Sequence, residues 1–202
     1  LSCCLRGEIL RICDIIRQFS SSYGFRVSYS DSIQIQFPFT FHPHNFFYIK
    51  SNKLNSVHLI SLIPSFNKLA NNHNSNFYQI ELTNLSYQEL EAVINRLHHI
   101  LHFSKIQSIA QKLKESLTDH TNFSFVINEE AESITALYFG YLSFQIRLDF
   151  LTGEPVISRI SIPQLKGLLL RAINSSSIEC CQLMRIFSSV CLLLQLFGHP
   201  HG

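Results

Sequence analysis

The chain has 202 residues, of which 46% are hydrophobic and 15% are charged, a composition typical of a globular protein. A chain of this length holds either one large domain or two small ones, and either arrangement can bury a core. The formal net charge of +2 comes without any block of like charge, so direct DNA binding or electrostatic capture by a membrane surface is not expected.

Cysteine usage indicates a reducing compartment. None of the six cysteines forms a Cys-x-x-Cys motif, and all lie in stretches with helical periodicity, where a free thiol acts as a small hydrophobic side chain. We therefore expect an intracellular chain, and no signal-peptide pattern is present. The apolar run at residues 190–197 is interrupted by Gln195 and is too short to span a bilayer, so no membrane partner is expected.

The N-terminal half predicts one helix followed by a series of strands. Apolar residues repeat with helical spacing over residues 5–19, and the serines at 20–22 together with Gly24 are expected to end that helix. Residues 77–82 form either a short strand or an extended lead into the next helix. Alternating or apolar runs predict strands at residues 25–29, 33–37, 46–50 and 57–63, with Pro64 ending the last of them.

Residues 85–117 predict one long helix, which we take as the segment shared by two sheets. Ser86 and Glu89 form a capping-box pattern at its start. Beyond them, apolar residues recur every three or four positions, and neither glycine nor proline interrupts the pattern. A helix of roughly 30 residues is about 45 Å long, which is longer than one small domain needs.

The C-terminal half repeats the plan of strands followed by helices. Its clearest strand is residues 142–150, where apolar side chains up to Phe150 alternate with polar ones, as in an antiparallel sheet covered on one face. Pro163 is expected to open a helix. Further strands are predicted at residues 123–127, 133–139 and 156–162, and further helices at residues 164–174 and 177–197.

These elements predict an α+β fold rather than a βαβ fold, because the strands come in two uninterrupted series. Each series is expected to form a small antiparallel sheet covered by helices, and the long helix joins the two. The predicted domains are residues 1–103 and residues 104–202.

The histidines on the long helix are the first candidates for chemistry. His98 and His102 are one turn apart, a spacing that can chelate a metal. The metalloprotease pattern needs a glutamate directly after the first histidine, and His99 occupies that position. We therefore expect no metal site, and interpret the histidines as part of a solvated or partner-facing helix surface.

A second candidate is the His42-Pro43-His44-Asn45 stretch, since ubiquitin-conjugating enzymes carry a His-Pro-Asn element shortly before a catalytic cysteine. The nearest downstream cysteine here is Cys180, on a different predicted element. Conjugation needs a thiol held beside that asparagine. No phosphate-binding loop, nucleophile elbow or paired carboxylate appears either. The sequence thus predicts no enzyme, no catalytic residues and no cofactor.

Residues 186–197 are apolar on nearly every side of their predicted helix. Such a helix is normally buried within its own domain. The alternative is that part of it packs against another subunit, because large apolar patches on soluble proteins mark interaction sites.

The order of a helix, an antiparallel meander, a strand ending in proline and a covering helix resembles the RWD fold, the non-catalytic relative of ubiquitin-conjugating enzymes. The segment from Tyr48-Ile49-Lys50 through Leu59 to Ile63-Pro64-Ser65-Phe66 is similar to the segment that closes the first sheet in the centromere protein O family. Residues 123–162 with the following helices fit that family's C-terminal RWD domain. Leu62 and the asparagine-rich loop at 71–76 depart from its pattern.

This resemblance implies a non-catalytic subunit of the inner kinetochore in the nucleus, with a role in chromosome segregation and cell division. Its implied partner is a paralogous tandem-RWD subunit similar to centromere protein P, with further inner-kinetochore subunits. The open alternatives are a Mediator-type nuclear scaffold and a degenerate or active ubiquitin-conjugating module. We expect the partner interface to use exposed apolar residues of the second sheet and last helix, namely Tyr138, Tyr141, Phe187 and Leu194.

Overall fold

A computed structural model of the chain describes residues 3–29, 33–37, 47–51, 56–61, 78–117, 123–138 and 142–197. The chain divides into two compact units. The first comprises Leu1–Ser104 with Phe150–Gly153, and the second comprises Lys105–Asp149 with Glu154–Gly202. The boundary after Ser104 falls inside the long helix, so each unit contains part of that helix.

The described helices and strands agree with an α+β fold that contains two small antiparallel sheets. The helices are α1 (Cys3–Tyr23), α2 (Tyr87–Ser116), α3 (Lys166–Asn174) and α4 (Ser177–Phe197), with a 3-10 turn at Pro163–Leu165. The strands are β1 (Arg26–Tyr29), β2 (Ile33–Gln36), β3 (Phe47–Ser51), β4 (Val57–Ser61), β5 (Tyr78–Glu81), β6 (Phe123–Asn128), β7 (Ser133–Tyr138), β8 (Leu142–Leu148) and β9 (Pro155–Ile160).

The first unit contains an antiparallel sheet in the order β1-β2-β3-β4-β5. One row of apolar residues crosses four of its strands, because Ile33, Ile49, Leu59 and Ile80 are successive cross-strand partners. The core of this unit also contains residues from α1 and from the first part of α2. Among the most buried of these are Ile12, Ile16, Leu90, Ile94 and Leu97.

Helix α1 continues through the serines that were expected to end it. Ser20 donates a hydrogen bond from Oγ to the carbonyl oxygen of Arg17, a bond that satisfies the hydroxyl within the helix. The helix ends before Gly24, the other residue expected to end it, whose φ of 69° lies in the left-handed region. A side chain at this position would collide with the backbone carbonyl of Leu151.

The second unit contains a four-stranded antiparallel meander in the order β6-β7-β8-β9. Four isoleucines form a cross-strand row, in which Ile127, Ile134, Ile146 and Ile157 are successive partners. Residues from the last part of α2, from α3 and from α4 belong to the same hydrophobic cluster. Ile106, Ile109, Leu113, Leu169, Met184 and Phe187 are among its buried members.

The predicted capping box at the start of α2 is confirmed. The backbone N–H of Ser86 donates to Oε2 of Glu89 at 2.8 Å, and the backbone N–H of Glu89 donates to Oγ of Ser86 at 3.3 Å. These bonds lower the pKa of the Glu89 carboxyl group. They satisfy two donors that the first turn of a helix leaves without helical partners.

A lysine of α2 caps the end of α3. The Lys112 ammonium donates to the carbonyl oxygen of Ile173 at 2.8 Å and also to the carbonyl oxygen of Ser175. These carbonyls lie at the C-terminus of α3, where the helix dipole favours a positive charge. The second part of α2 is thereby attached to the helical layer of its own unit.

Two predicted boundaries in the C-terminal half differ from the structure. Strand β8 ends at Leu148, and the backbone N–H of Asp149 donates to the carbonyl oxygen of Glu154 at 2.8 Å, which closes a turn before Phe150 can extend the strand. Pro163 opens a 3-10 turn, and α3 begins only at Lys166. The resulting Phe150–Gly153 segment belongs to the first unit, which sequence alternation did not predict.

Candidate interaction surface

Two residues expected at a partner interface lie in the core of the second unit. Tyr138 is 1% exposed and Phe187 is fully buried, with their ring centroids 6.0 Å apart. The hydroxyl of Tyr138 donates to Oγ of Ser188 at 2.8 Å, so its polar end is satisfied. The expectation that these two side chains are exposed is therefore wrong. The alternation of Ile134, Ala136 and Tyr138 along β7 could have indicated the burial of Tyr138.

The other two expected residues have different outcomes. Tyr141 lies outside the described residues. Leu194 is 38% exposed near the end of α4, beyond Cys191, which is the last buried residue of that helix. Leu194 thus remains a candidate for contact with a partner.

The end of α4 carries the largest run of exposed apolar side chains among the described residues. Leu196 and Phe197 are 73% and 82% exposed. Leu192 and Leu193 are also exposed. The sequence indicates that part of residues 186–197 contacts another subunit, but names only Leu194 correctly on the exposed side. The run is apolar throughout, and its periodicity does not separate the buried side from the exposed side. In the structure, Phe187 and Cys191 pack into the core and thereby identify the buried side of α4.

Helix α4 also has the length and apolar composition of a helix that could cross a membrane, and within the described ranges it alone does. The apolar run at residues 190–197 is too short to span a bilayer, whereas the whole helix Ser177–Phe197 is long enough. Core helices of soluble proteins have the same composition, and the first part of α4 lies in the hydrophobic cluster of its unit. Length and composition therefore do not identify a membrane span here.

Two of the three histidines of α2, His98 and His102, are buried, and His99 is half-buried, which corrects the expectation that they form a solvated or partner-facing surface. His98 and His102 are each 1% exposed, and their ring centroids are 4.2 Å apart. The Nε2–H of His98 donates to the carbonyl oxygen of Phe150 at 2.8 Å, and its ring packs against the Phe150 ring. Tyr23 packs against His98 from α1. The described residues contain no cluster of three metal-ligating side chains.

The thiols that could serve conjugation chemistry are mostly inaccessible. Cys180 is fully buried, and burial raises the pKa of Cys13 and of Cys191 to about 11. A thiol with such a pKa stays protonated at neutral pH and is a poor nucleophile. Cys4 is exposed. The His42–Asn45 stretch lies outside the described residues.

Comparison of this chain with protein-family models, curated proteins and solved structures found no match. The assignment of a candidate surface therefore depends on geometry and chemistry. By these criteria the end of α4 is the best candidate, because it combines exposed apolar side chains with a buried anchor in the same helix.

Proposed function

We propose that this chain is a non-catalytic structural subunit of the inner kinetochore. It forms a heterodimer with another tandem-RWD subunit, similar to centromere protein P, and helps to link centromeric chromatin to the outer kinetochore. It acts in the nucleus, at the centromere, during chromosome segregation. Further inner-kinetochore subunits are partners of the pair, and direct DNA binding has no part in this proposal.

The observation that carries the proposal is the order of elements within each unit. In the first unit, α1 precedes an antiparallel meander. In the second, helical residues of α2 precede the meander β6-β7-β8-β9, which is followed by Pro163 and two helices. This order supports an RWD fold for each unit. Two such units along one chain, with α2 between β5 and β6 in sequence, support the resemblance to the centromere protein O family.

Burial of potential nucleophiles supports a structural role over a conjugating one. A thioester intermediate requires a thiolate that can reach a second protein. Cys13, Cys180 and Cys191 are buried in hydrophobic clusters, where they pack as apolar side chains. The exposed side chain of Leu194 near the end of α4 instead supports a function that depends on protein–protein contact.

The proposal is tested by affinity capture of the tagged full chain from native nuclear extract, followed by identification of the recovered proteins. We expect other centromere subunits to be recovered with the wild-type chain. Leu194→Asp should reduce their recovery, because a charge at an apolar interface is costly to bury. The matched control is Val126→Asp, an exposed apolar position on β6 of the same unit, which should recover them normally.

Each alternative predicts a different result from the same material. Recovery of transcription-scaffold subunits in place of centromere subunits would favour the Mediator-type scaffold. Formation of a thioester with activated ubiquitin, lost when an accessible cysteine such as Cys4 or Cys181 is changed to serine, would favour the ubiquitin-conjugating module. Either result would contradict a kinetochore scaffold without catalytic function.

A further inference from the structure

The outward side of α4 has the spacing of a coiled-coil seam. Ile186, Ser189, Leu193 and Leu196 follow one another along α4 at intervals of three, four and three residues. This alternation of three and four residues is the pattern of a and d positions in a heptad repeat. Phe187, on the opposite side of the helix, packs into the core, so the seam faces away from the unit to which it belongs.

The seam and its flanks expose an area comparable to one side of a small dimer interface. Ile186, Leu192, Leu193, Leu196 and Phe197 have exposed fractions between 43% and 82%. Because a fully exposed side chain of this size presents on the order of 200 Å², together they expose roughly 600 Å². Two copies of the surface would bury roughly 1,200 Å², which is the lower limit for a specific protein interface.

We infer that a second copy of this chain covers this seam, with the two α4 helices packed antiparallel about a two-fold axis level with Cys191. In this arrangement Ile186 contacts the partner's Leu196, and Ser189 contacts the partner's Leu193. The same patch serves both copies, as a two-fold interface requires. Leu194, the residue of α4 assigned to the heterodimer, lies off the seam, so the two contacts use different sides of the helix.

Charge distribution along α4 favours the antiparallel orientation. The last turn of α4 contains no basic residue to complement its negative dipole end. Arg185 is exposed at the other end of the seam. An antiparallel pair places the partner's Arg185 beside those C-terminal carbonyls, whereas a parallel pair would place the two Arg185 side chains beside each other.

Ser189 can be buried near the axis at little cost. Its Oγ donates to the carbonyl oxygen of Arg185 at 2.9 Å, so covering the hydroxyl leaves no donor without an acceptor. A small side chain at this position also lets two helices approach closely. The one polar residue of the seam is thus compatible with the center of a helix pair.

A lipid bilayer is the alternative occupant of this apolar surface. It is disfavoured because Cys180, Met184 and Phe187 hold the first part of α4 in the core of its unit, which leaves too few residues to span a bilayer. The experiment includes this alternative as an outcome that overturns the inference.

The test measures the mass of the purified full chain by sedimentation equilibrium over a wide range of concentration. We expect a monomer–dimer equilibrium for the wild type. Leu193→Glu should raise the dissociation constant at least about 30-fold, as expected for loss of a central interface residue. Arg185→Glu should raise it by a smaller factor, about 3- to 10-fold, with weaker dependence on salt. Val126→Glu, the exposed control on β6, should leave it unchanged.

A wild-type chain that stays monomeric at every concentration would overturn the inference. An equal increase of the dissociation constant in Leu193→Glu and Val126→Glu would also overturn it. The same holds if the monomeric wild-type chain floats with phosphatidylcholine vesicles and Leu193→Glu does not. Circular dichroism of each variant checks that the fold is retained. Because this experiment uses the purified chain alone, its result is separate from the recovery of centromere subunits.

Discussion

At the scale of single residues, two glycines near the first helix have opposite surroundings. Gly24 has a φ of 69°, and an added Cβ would collide with the carbonyl of Leu151. Gly7 is helical, and an added Cβ would meet nothing within 4 Å. At position 24 there is no room for a side chain. At position 7 there is room, and glycine only lowers the helix propensity.

We therefore expect Gly24→Ala and Gly7→Ala to change stability in opposite directions. Gly24→Ala should lower the free energy of unfolding by about 2–4 kcal/mol, because it adds backbone strain to a steric clash. Gly7→Ala should raise it by about 0.5–1 kcal/mol. Urea denaturation of the full chain measures both, and a neutral Gly24→Ala would contradict the close approach of Leu151.

Glu8 gives the first unit a dependence on pH. Its carboxylate accepts two hydrogen bonds from Arg11, at 2.7 and 2.9 Å, and a third from the backbone N–H of Asn84 at 2.9 Å. Hydrogen bonding to Arg11 is the main cause that lowers the pKa of Glu8 below its ordinary value of 4.5. The stabilisation is therefore fully present above pH 4.5 and is lost as the pH falls through the lowered pKa.

Glu8→Gln should cost about 1 kcal/mol at neutral pH and should flatten the decline of stability below pH 4.5. Urea denaturation at a series of pH values measures this. Glu130→Gln, in the exposed turn after β6, is the matched control. An acid dependence that is the same in wild type and Glu8→Gln would show that other carboxylates cause it.

At the scale of elements, the contact between Lys112 and the end of α3 joins two helices of the second unit. Lys112→Met keeps most of the side-chain length but removes the ammonium that the Ile173 and Ser175 carbonyls accept from. We expect a loss of about 1–2 kcal/mol in the free energy of unfolding. Lys114→Met, at an exposed position two residues along the same helix, should have little effect. Thermal or urea denaturation compares the two.

The local spacing of apolar and polar residues predicted most helices and strands. It did not predict which single side chains are buried by contacts with distant segments. The alternation in β8 and the capping box of Ser86 and Glu89 are local signals, and both are found in the structure. His98 and His102 look like surface residues in sequence because histidine is polar. Their burial depends on aromatic rings from distant segments, including Phe150, and no local spacing reports such contacts.

The interface residues show the same limit. Tyr138 and Phe187 are large apolar residues of the second sheet and last helix, but size alone does not tell which side of an element faces the core. For α4, whose sequence is apolar on almost every side, only the packing of Phe187 and Cys191 distinguishes the inner side from the exposed side that carries Leu193 and Leu196.

At the scale of the whole molecule, the first unit is built from two separate stretches of chain, Leu1–Ser104 and Phe150–Gly153. We expect Phe150→Ala to destabilise this unit by about 1–2 kcal/mol, because its ring packs against His98 with centroids 4.2 Å apart. Hydrogen exchange should then increase around residues 23 and 98 more than in β8. Leu137→Ala, at an exposed position of the second sheet, is the control and should leave that exchange unchanged.

The discontinuity of the first unit has a consequence for biosynthesis. A ribosome delivers α1, the first sheet and the buried histidines well before it delivers Phe150 and Leu151, against which His98 and Gly24 are fitted. The N-terminal unit therefore completes its packing only after the turn that follows β8 has left the exit tunnel. Its final maturation is coupled to translation of the downstream meander, although most of its own residues have emerged long before.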